Sequence, residues 1–172
     1  SEIAFSDIRT GNYNFLVNGA FEYTTYSWDI SGDGKIKCAY DIHCDDPDNY
    51  MVHSHANQGI SIKIDLEAGQ KMKFVQKRKI GAKEKNLVNG QIMVRCEGDP
   101  LKHVKAYFGG KEIELKWANE GLNDKNGWHE LRFKSFEIEP GTYDFRMEVA
   151  NPGGSAKNIY VDDLKVQLKR NY

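Results

Sequence analysis

Ile60-Ser61-Ile62-Lys63-Ile64-Asp65-Leu66, then the turn Glu67-Ala68-Gly69-Gln70, then a second run from Lys71 to about Lys79, decide the fold class. Apolar and polar residues alternate with a period of two, which sends one set of side chains to each side of an extended strand. The four residues between the runs have the composition of a turn. Two alternating runs joined this way read as a hairpin with one face toward a core. The same period recurs at Ile36 to Ile42, Tyr50 to His53, Gln91 to Cys96, His103 to Phe108, Glu112 to Trp117, Trp128 to Ile138, Thr142 to Val149 and Asn158 to Leu168. No window of useful length holds a helical period. About ten strands with turns at short intervals predict an all-β chain folded as a β-sandwich jelly roll.

The turns support this. Ser31-Gly32-Asp33-Gly34, Gly109-Gly110, Pro140-Gly141 and Asn151-Pro152-Gly153-Gly154 supply the positive φ of glycine or the fixed φ of proline where the chain must reverse. Between Trp128 and Ile138 the alternation slips, because Leu131 and Phe133 share one parity while Phe136 and Ile138 share the other. A β-bulge near Lys134-Ser135 is expected there.

At 172 residues the chain suits one domain with a sizeable core. No repeat, low-complexity tract or linker divides it. Residues 1–13 read as an N-terminal arm and residues 14–172 as a single module. Lys and Arg number 24 against 25 Asp and Glu, a formal net charge of −1, so there is no global electrostatic case for nucleic acid or an anionic membrane. No apolar run approaches the length of a membrane span, and Ser1-Glu2-Ile3-Ala4 lacks the basic start and apolar block of a signal peptide. Cys38, Cys44 and Cys96 make an odd number, which argues against a disulfide framework. Cys38 and Cys96, in alternating apolar segments, read as buried thiols; Cys44, in a polar loop, reads as exposed.

The two ends carry carboxylates in unusual company. Glu22 follows Asn18-Gly19-Ala20-Phe21, and Asp162 and Asp163 interrupt the apolar strand Ile159-Tyr160-Val161 … Leu164-Lys165-Val166. A strand gains nothing from a carboxylate unless that side chain has a partner. Hard, charged oxygens are what Ca²⁺ collects.

Asn-Gly-x-Phe-Glu followed by Trp28, the pair Gly127-Trp128 opening a late strand, Pro140-Gly141-Thr142-Tyr143, and Tyr160-Val161-Asp162-Asp163-Leu164 together resemble a carbohydrate-binding module. The nearest group is the β-jelly-roll modules of families four, nine and twenty-two, within the galactose-binding-like fold, and the resemblance runs from about Asn14 to Leu168. It implies a structural calcium tying the first strand to the last, with Glu22 and Asp162 as ligands and Asp163 in reserve should the register be off by one. It also implies a polysaccharide or cell-wall glycan as partner, a larger multidomain parent, and no catalysis. The parent would be extracellular, as part of a secreted protein or particle.

A sugar ring offers flat C–H faces and a rim of hydroxyls, so its binding surface needs exposed aromatic plates flanked by planar hydrogen-bonding groups. Trp28 and Trp128 match positions usual for the core in the resembled modules. Trp117 ends an alternating run on the apolar parity yet abuts the polar loop 118–127, and stands open to both roles. Tyr107 opposes Val104, Ala106 and Phe108; Arg95 opposes Ile92, Val94 and Cys96; Arg146 opposes Tyr143, Phe145 and Met147. In the resembled modules glycans often lie in a cleft on a concave sheet. The candidate site is Tyr107, Arg95 and Arg146, with Trp117 and Tyr50 at its edges, on the condition that these converge on one face.

Three other features have competing readings. The basic stretch Lys71 to Lys85 is either a contact for an acidic polymer or an edge strand blunted by lysines. His43-Cys44-Asp45-Asp46 and His53-Ser54-His55 lack zinc-type spacing, and the acidic loop Asp41 to Asp48 lacks the EF-hand pattern. No nucleophile elbow, phosphate loop or metalloprotease helix is present. A second functional reading, as a structural or adhesion module of a bacteriophage tail or baseplate gripping host-wall sugars, draws on Asp7-Ile8-Arg9-Thr10-Gly11-Asn12 and on free thiols.

Overall fold

A computed structural model describes residues 14–39, 60–81, 86–121 and 127–170. Among these residues twelve strands are formed: β1 (Asp29–Gly32), β2 (Lys35–Ala39), β3 (Ser61–Leu66), β4 (Lys71–Ile80), β5 (Asn86–Arg95), β6 (Val104–Phe108), β7 (Lys111–Ile113), β8 (Leu115–Trp117), β9 (Trp128–Phe133), β10 (Phe136–Ile138), β11 (Gly141–Ala150) and β12 (Lys157–Arg170). They make a five-stranded sheet in the order β1-β4-β11-β6-β7 and a seven-stranded sheet in the order β2-β3-β12-β5-β9-β8, with β10 also on β5. Pairing is antiparallel throughout. The chain is the all-β sandwich its alternation predicts.

The expected hairpin at residues 60–79 is not one. β3 pairs with β2 and β12, whereas β4 pairs with β1 and β11, so the turn at 67–70 hands the chain from one sheet to the other. Ile62, Ile64 and Leu66 therefore meet Met72 and Phe74 across the core instead of lying beside them. A period of two fixes which side faces inward and is silent on whether two runs lie side by side or face to face. What holds the crossing is a second one. Gly69 N–H donates to the Asn151 carbonyl and Asn151 N–H to the Gln70 carbonyl. The buried Asn151 amide donates to the carbonyls of Leu66 and Ser155. Glu112 to Trp117, read as one strand, likewise divides between the sheets, β7 pairing with β6 and β8 with β9.

The bulge expected near Lys134-Ser135 is present. β9 and β10 both pair with β5, Arg132 opposite Gln91 and Phe136 opposite Val88, so the register advances by one residue between them. A second bulge lies in β12, where Asp162 opposes Met93 and Lys165 opposes Gln91. Asp163 there has φ of 44°, the left-handed region that glycine usually fills in such a bulge.

The core is a band of aromatic and branched side chains between the sheets. Phe21 and Trp28 pack on each other at 5.8 Å and on Phe74 at 6.4 Å, with Phe145 6.2 Å from Trp28. Trp28 is buried as its position implies. The segment ahead of β1 is clasped to β12. Asn14 Nδ2 donates to the Leu164 carbonyl at 2.7 Å, and Asn14 Oδ1 accepts from Val166 N–H at 3.0 Å. Leu164 N–H donates to the Gly19 carbonyl at 2.8 Å, and a Cβ at Gly19 would collide with the Leu164 carbonyl oxygen. Tyr50, Cys44, Asp41 to Asp48, His43, His53, His55, the arm and the expected strand Tyr50 to His53 lie outside the described residues.

Candidate functional site

Each sheet of a two-layer sandwich turns one face to the core and one outward, and directly opposed residues of neighbouring strands share a face. On the five-stranded sheet the outward row runs Asp29, Val75, Arg146, Tyr107, Glu112. The Arg146 guanidinium lies over the Tyr107 ring, 4.1 Å from its centroid, a cation–π contact that occupies one ring face. Arg146 Nε also pairs with Glu148 Oε2 at 2.8 Å, and Lys71 Nζ with Glu148 Oε1 at 3.3 Å. Arg146, Glu148 and Lys71 thus lie against one another as a charge cluster, although Arg146 Nε makes no well-directed hydrogen bond among the described residues. Lys71, Lys73, Lys77 and Lys79 stand exposed along β4. β4 is flanked by β11 along its length and by β1 only from Met72 to Val75, so the reading as guards of an edge strand fails at Lys73 and holds at Lys77 and Lys79, where no described strand pairs on that side. They form a column on a sheet face.

The outward face of the other sheet is different. Arg95 opposes Trp128 on one side and Tyr160 on the other; Met93 opposes Glu130 and Asp162; Gln91 opposes Arg132 and Lys165. Trp128 at 3% exposure and Met93 at 9% form a small apolar cluster separate from the main core, with half-buried Tyr160 packed against it. Trp128 Nε1 is buried with no acceptor among the described residues. Asn119 fixes the start of β9, its Nδ2 donating to the Trp128 carbonyl at 3.1 Å and its Oδ1 accepting from Glu130 N–H at 2.8 Å. Arg95 runs beside Gly127, whose φ of 80° places that backbone against it.

The sequence-predicted ligand residues therefore divide. Tyr107 and Arg146 are brought together; Arg95 is on the opposite side of the molecule, so the convergence expected of the three does not occur. Parity separates inward from outward and cannot separate one outward face from the other. Trp117 opposes Leu131 and packs on the main core, its Nε1 donating to Asn119 Oδ1 at 3.1 Å and its ring edge-on to His129 at 4.9 Å. Trp128 is buried as expected, but on the outward side of its sheet. Met93, outward by the parity of Ile92/Val94, and Tyr160, outward by that of Ile159/Val161, are both absent from the predicted ligand set.

Asp162 and Asp163 sit at the β12 bulge next to Leu164, where the clasped segment meets β12, and both are fully buried; Glu22 belongs to the clasped segment, three residues beyond Gly19. Asp162 Oδ1 accepts from Asp163 N–H at 2.8 Å. Among the described residues no group of three or more His, Cys, Asp or Glu is gathered as a metal would need, so these carboxylates fit calcium only with main-chain oxygens making up the set. Cys38 and Cys96 are free and half-buried. Burial first, then the Asp99 charge, push the Cys96 thiol up to about 11, which leaves it a poor nucleophile.

No protein-family model matches the chain, and no curated protein matches its sequence. Solved structures do match its fold. The carbohydrate-binding module TmCBM61, in complex with β-1,4-galactotriose, aligns with a TM-score of 0.55 at 17% identity, covering 90% of this chain and 97% of that one. The arabinose-bound α-L-arabinofuranosidase MgGH51 aligns at 0.52 with 8% identity, and the enzymatically active domain of tailspike protein 4 of bacteriophage CBA120 at 0.51 with 11%. Each alignment covers 90% of this chain, but only 26% of the arabinofuranosidase and 21% of the tailspike domain. At such identities the likeness is one of fold alone, a β-sandwich jelly roll shared with TmCBM61.

Proposed function

We propose that the chain is a non-catalytic polysaccharide-binding module that holds a larger, extracellular parent protein against a glycan surface, using the outward face of the seven-stranded sheet. The observation that carries this is the half-buried Tyr160, backed by the buried Trp128 and Met93 and placed on the same face as the half-buried Arg95 and Glu130. The half-buried Tyr160 ring takes the C–H face of a pyranose, with Trp128 and Met93 packed behind it, while the Arg95 guanidinium and the Glu130 carboxylate, also half-buried, meet its hydroxyls. The likeness in fold to a module solved with β-1,4-galactotriose supports the reading. The test is a broad glycan array with calcium present, covering plant β-glucans, xylans and galactans beside bacterial wall polymers. Saturable binding without release of reducing sugar is expected; turnover, or a blank array, overturns the proposal. An oligomer with a blank array would instead favour a structural module of a phage tail, the reading to which the tailspike likeness lends support.

A structural calcium at the clasp belongs to the same proposal. The β12 register shifts between Asp162 and Lys165, Asp163 there is left-handed, and Asp162 Oδ1 is taken up by the Asp163 N–H, which supports Asp163 with Glu22 over Asp162 as ligands. Calcium in hundredfold excess over Kd would stabilise the fold by about 2.7 kcal/mol. Melting with calcium and with EGTA tests it: a shift abolished by Asp163→Asn supports the site, and identical curves reject it.

A further inference from the structure

Among the described residues three large apolar side chains are exposed, Tyr23 at 71%, Tyr26 at 56% and Leu101 at 37%, and the two tyrosines stand three residues apart in one loop. That loop is built to keep its shape. Phe21 and Trp28 anchor it in the core. Asn18, Phe21, Thr24 and Ser27, every third residue, are left-handed, with φ of 54°, 57°, 58° and 68°. None is glycine, and for β-branched Thr24 and bulky Phe21 this is a strained conformation. The Asn18 side chain clamps it, Nδ2 donating to the carbonyls of Thr24 at 2.9 Å and Tyr26 at 3.0 Å while Oδ1 accepts from Tyr23 N–H at 3.0 Å. The turns are closed by Thr24 N–H to the Phe21 carbonyl and Trp28 N–H to the Thr25 carbonyl. Backbone strain of this kind persists only where the surroundings over-determine it, and what it holds outward here is the tyrosine pair.

We infer that Tyr23 and Tyr26 form a second carbohydrate contact, separate from the sheet face, and that it takes a neutral glycan. The chemistry selects the occupant. Tyrosine rings give a pyranose a flat partner with a wettable rim. Thr24, Thr25 and Ser27 bring hydroxyls beside them, and no Lys or Arg occurs between residues 14 and 34 to attract a phosphate, a uronate or an anionic lipid. A second contact on the same chain raises retention on a polymer through effective concentration.

This inference rests on the glycan-binding reading, and one experiment separates their failures. Native electrophoresis would be run in gels containing β-1,4-galactan, β-glucan or xylan. The proteins compared are the wild type, Tyr23→Ala/Tyr26→Ala, Arg95→Ala/Tyr160→Ala, and the combination of the two double variants. Loss of both loop tyrosines is expected to weaken retardation about tenfold in a polymer that retards the wild type, with an unchanged melting temperature, and again in the Arg95→Ala/Tyr160→Ala background. Tyr23→Phe/Tyr26→Phe should retain binding, since the ring carries the contact. If the loop variant migrates as the wild type does in every polymer that retards the latter, the inference fails and the sheet-face reading stands. If no gel retards the wild type, both fail.

Discussion

The two outward faces of the sandwich are built by the same alternation and end in opposite states. On the five-stranded sheet, Arg146 covers Tyr107 and pairs with Glu148, which also takes Lys71. On the seven-stranded sheet, Trp128 and Met93 are buried on the side away from the core, Trp128 with an indole N–H that has no acceptor among the described residues. One face lays charged groups against one another and against a ring, while the other packs apolar side chains away from water and leaves half-buried Tyr160 beside them. A residue's outward parity is therefore weak evidence for binding, and its neighbours across the strand are stronger evidence.

The contrast can be broken most forcefully through stability. Trp128→Ala should destabilise the fold by about 3–5 kcal/mol, the cost of removing a large buried ring, whereas Tyr107→Ala should cost about 1 kcal/mol or less. Chemical denaturation of both variants measures the difference, and equal losses would mean that the faces are not distinct. Next in size is binding. Tyr160→Ala or Arg95→Ala should weaken glycan affinity by about 1–2 kcal/mol, and Tyr107→Ala or Arg146→Ala should leave it within about 0.5 kcal/mol, as calorimetry with an array-identified oligosaccharide would record. The reverse ranking would move the site to the five-stranded sheet. Glu148→Gln should cost about 1 kcal/mol, because one nearly buried carboxylate serves two cations, and the loss should shrink in high salt. The smallest effect is expected at Lys105 and Glu112, exposed partners 3.8 Å apart, where removing either should change stability by no more than about 0.5 kcal/mol.

Most of the architecture is legible in the sequence because its signal is local. Alternation locates the strands, and the parity slip between Phe133 and Phe136 locates a bulge. Trp28 and Trp128 read as buried, and both are. What escapes is pairing, which is non-local. The Ile60 to Lys79 segment has the pattern of a hairpin and crosses between sheets, since the bonds that decide it come from Asn151. Arg95 shares Tyr107's outward parity and lies on the other sheet. Met93 and Tyr160 are absent from the predicted ligand set because a lone apolar residue on a polar parity has no meaning until Trp128 is known to stand beside it. Lys73 reads as an edge residue for the same reason, as the β1 that pairs beside it is a four-residue strand overlapping what looks like a turn.

The position of β12 in its sheet has a consequence for how the molecule is made. It follows every other strand in the sequence, yet it lies between β3 and β5, and its middle is clasped by Asn14, 150 residues away. Until it is in place, no other described strand joins β2 and β3 to β5 and β9 within the sheet, and the edges of β3 and β5 stand open. The half-made sheet cannot close during synthesis, so the nascent chain must remain unassembled until residues 157–170 emerge. Topologies of this kind fold slowly and expose sticky edges meanwhile, which makes shortening β12 a route to aggregation more than to a smaller module.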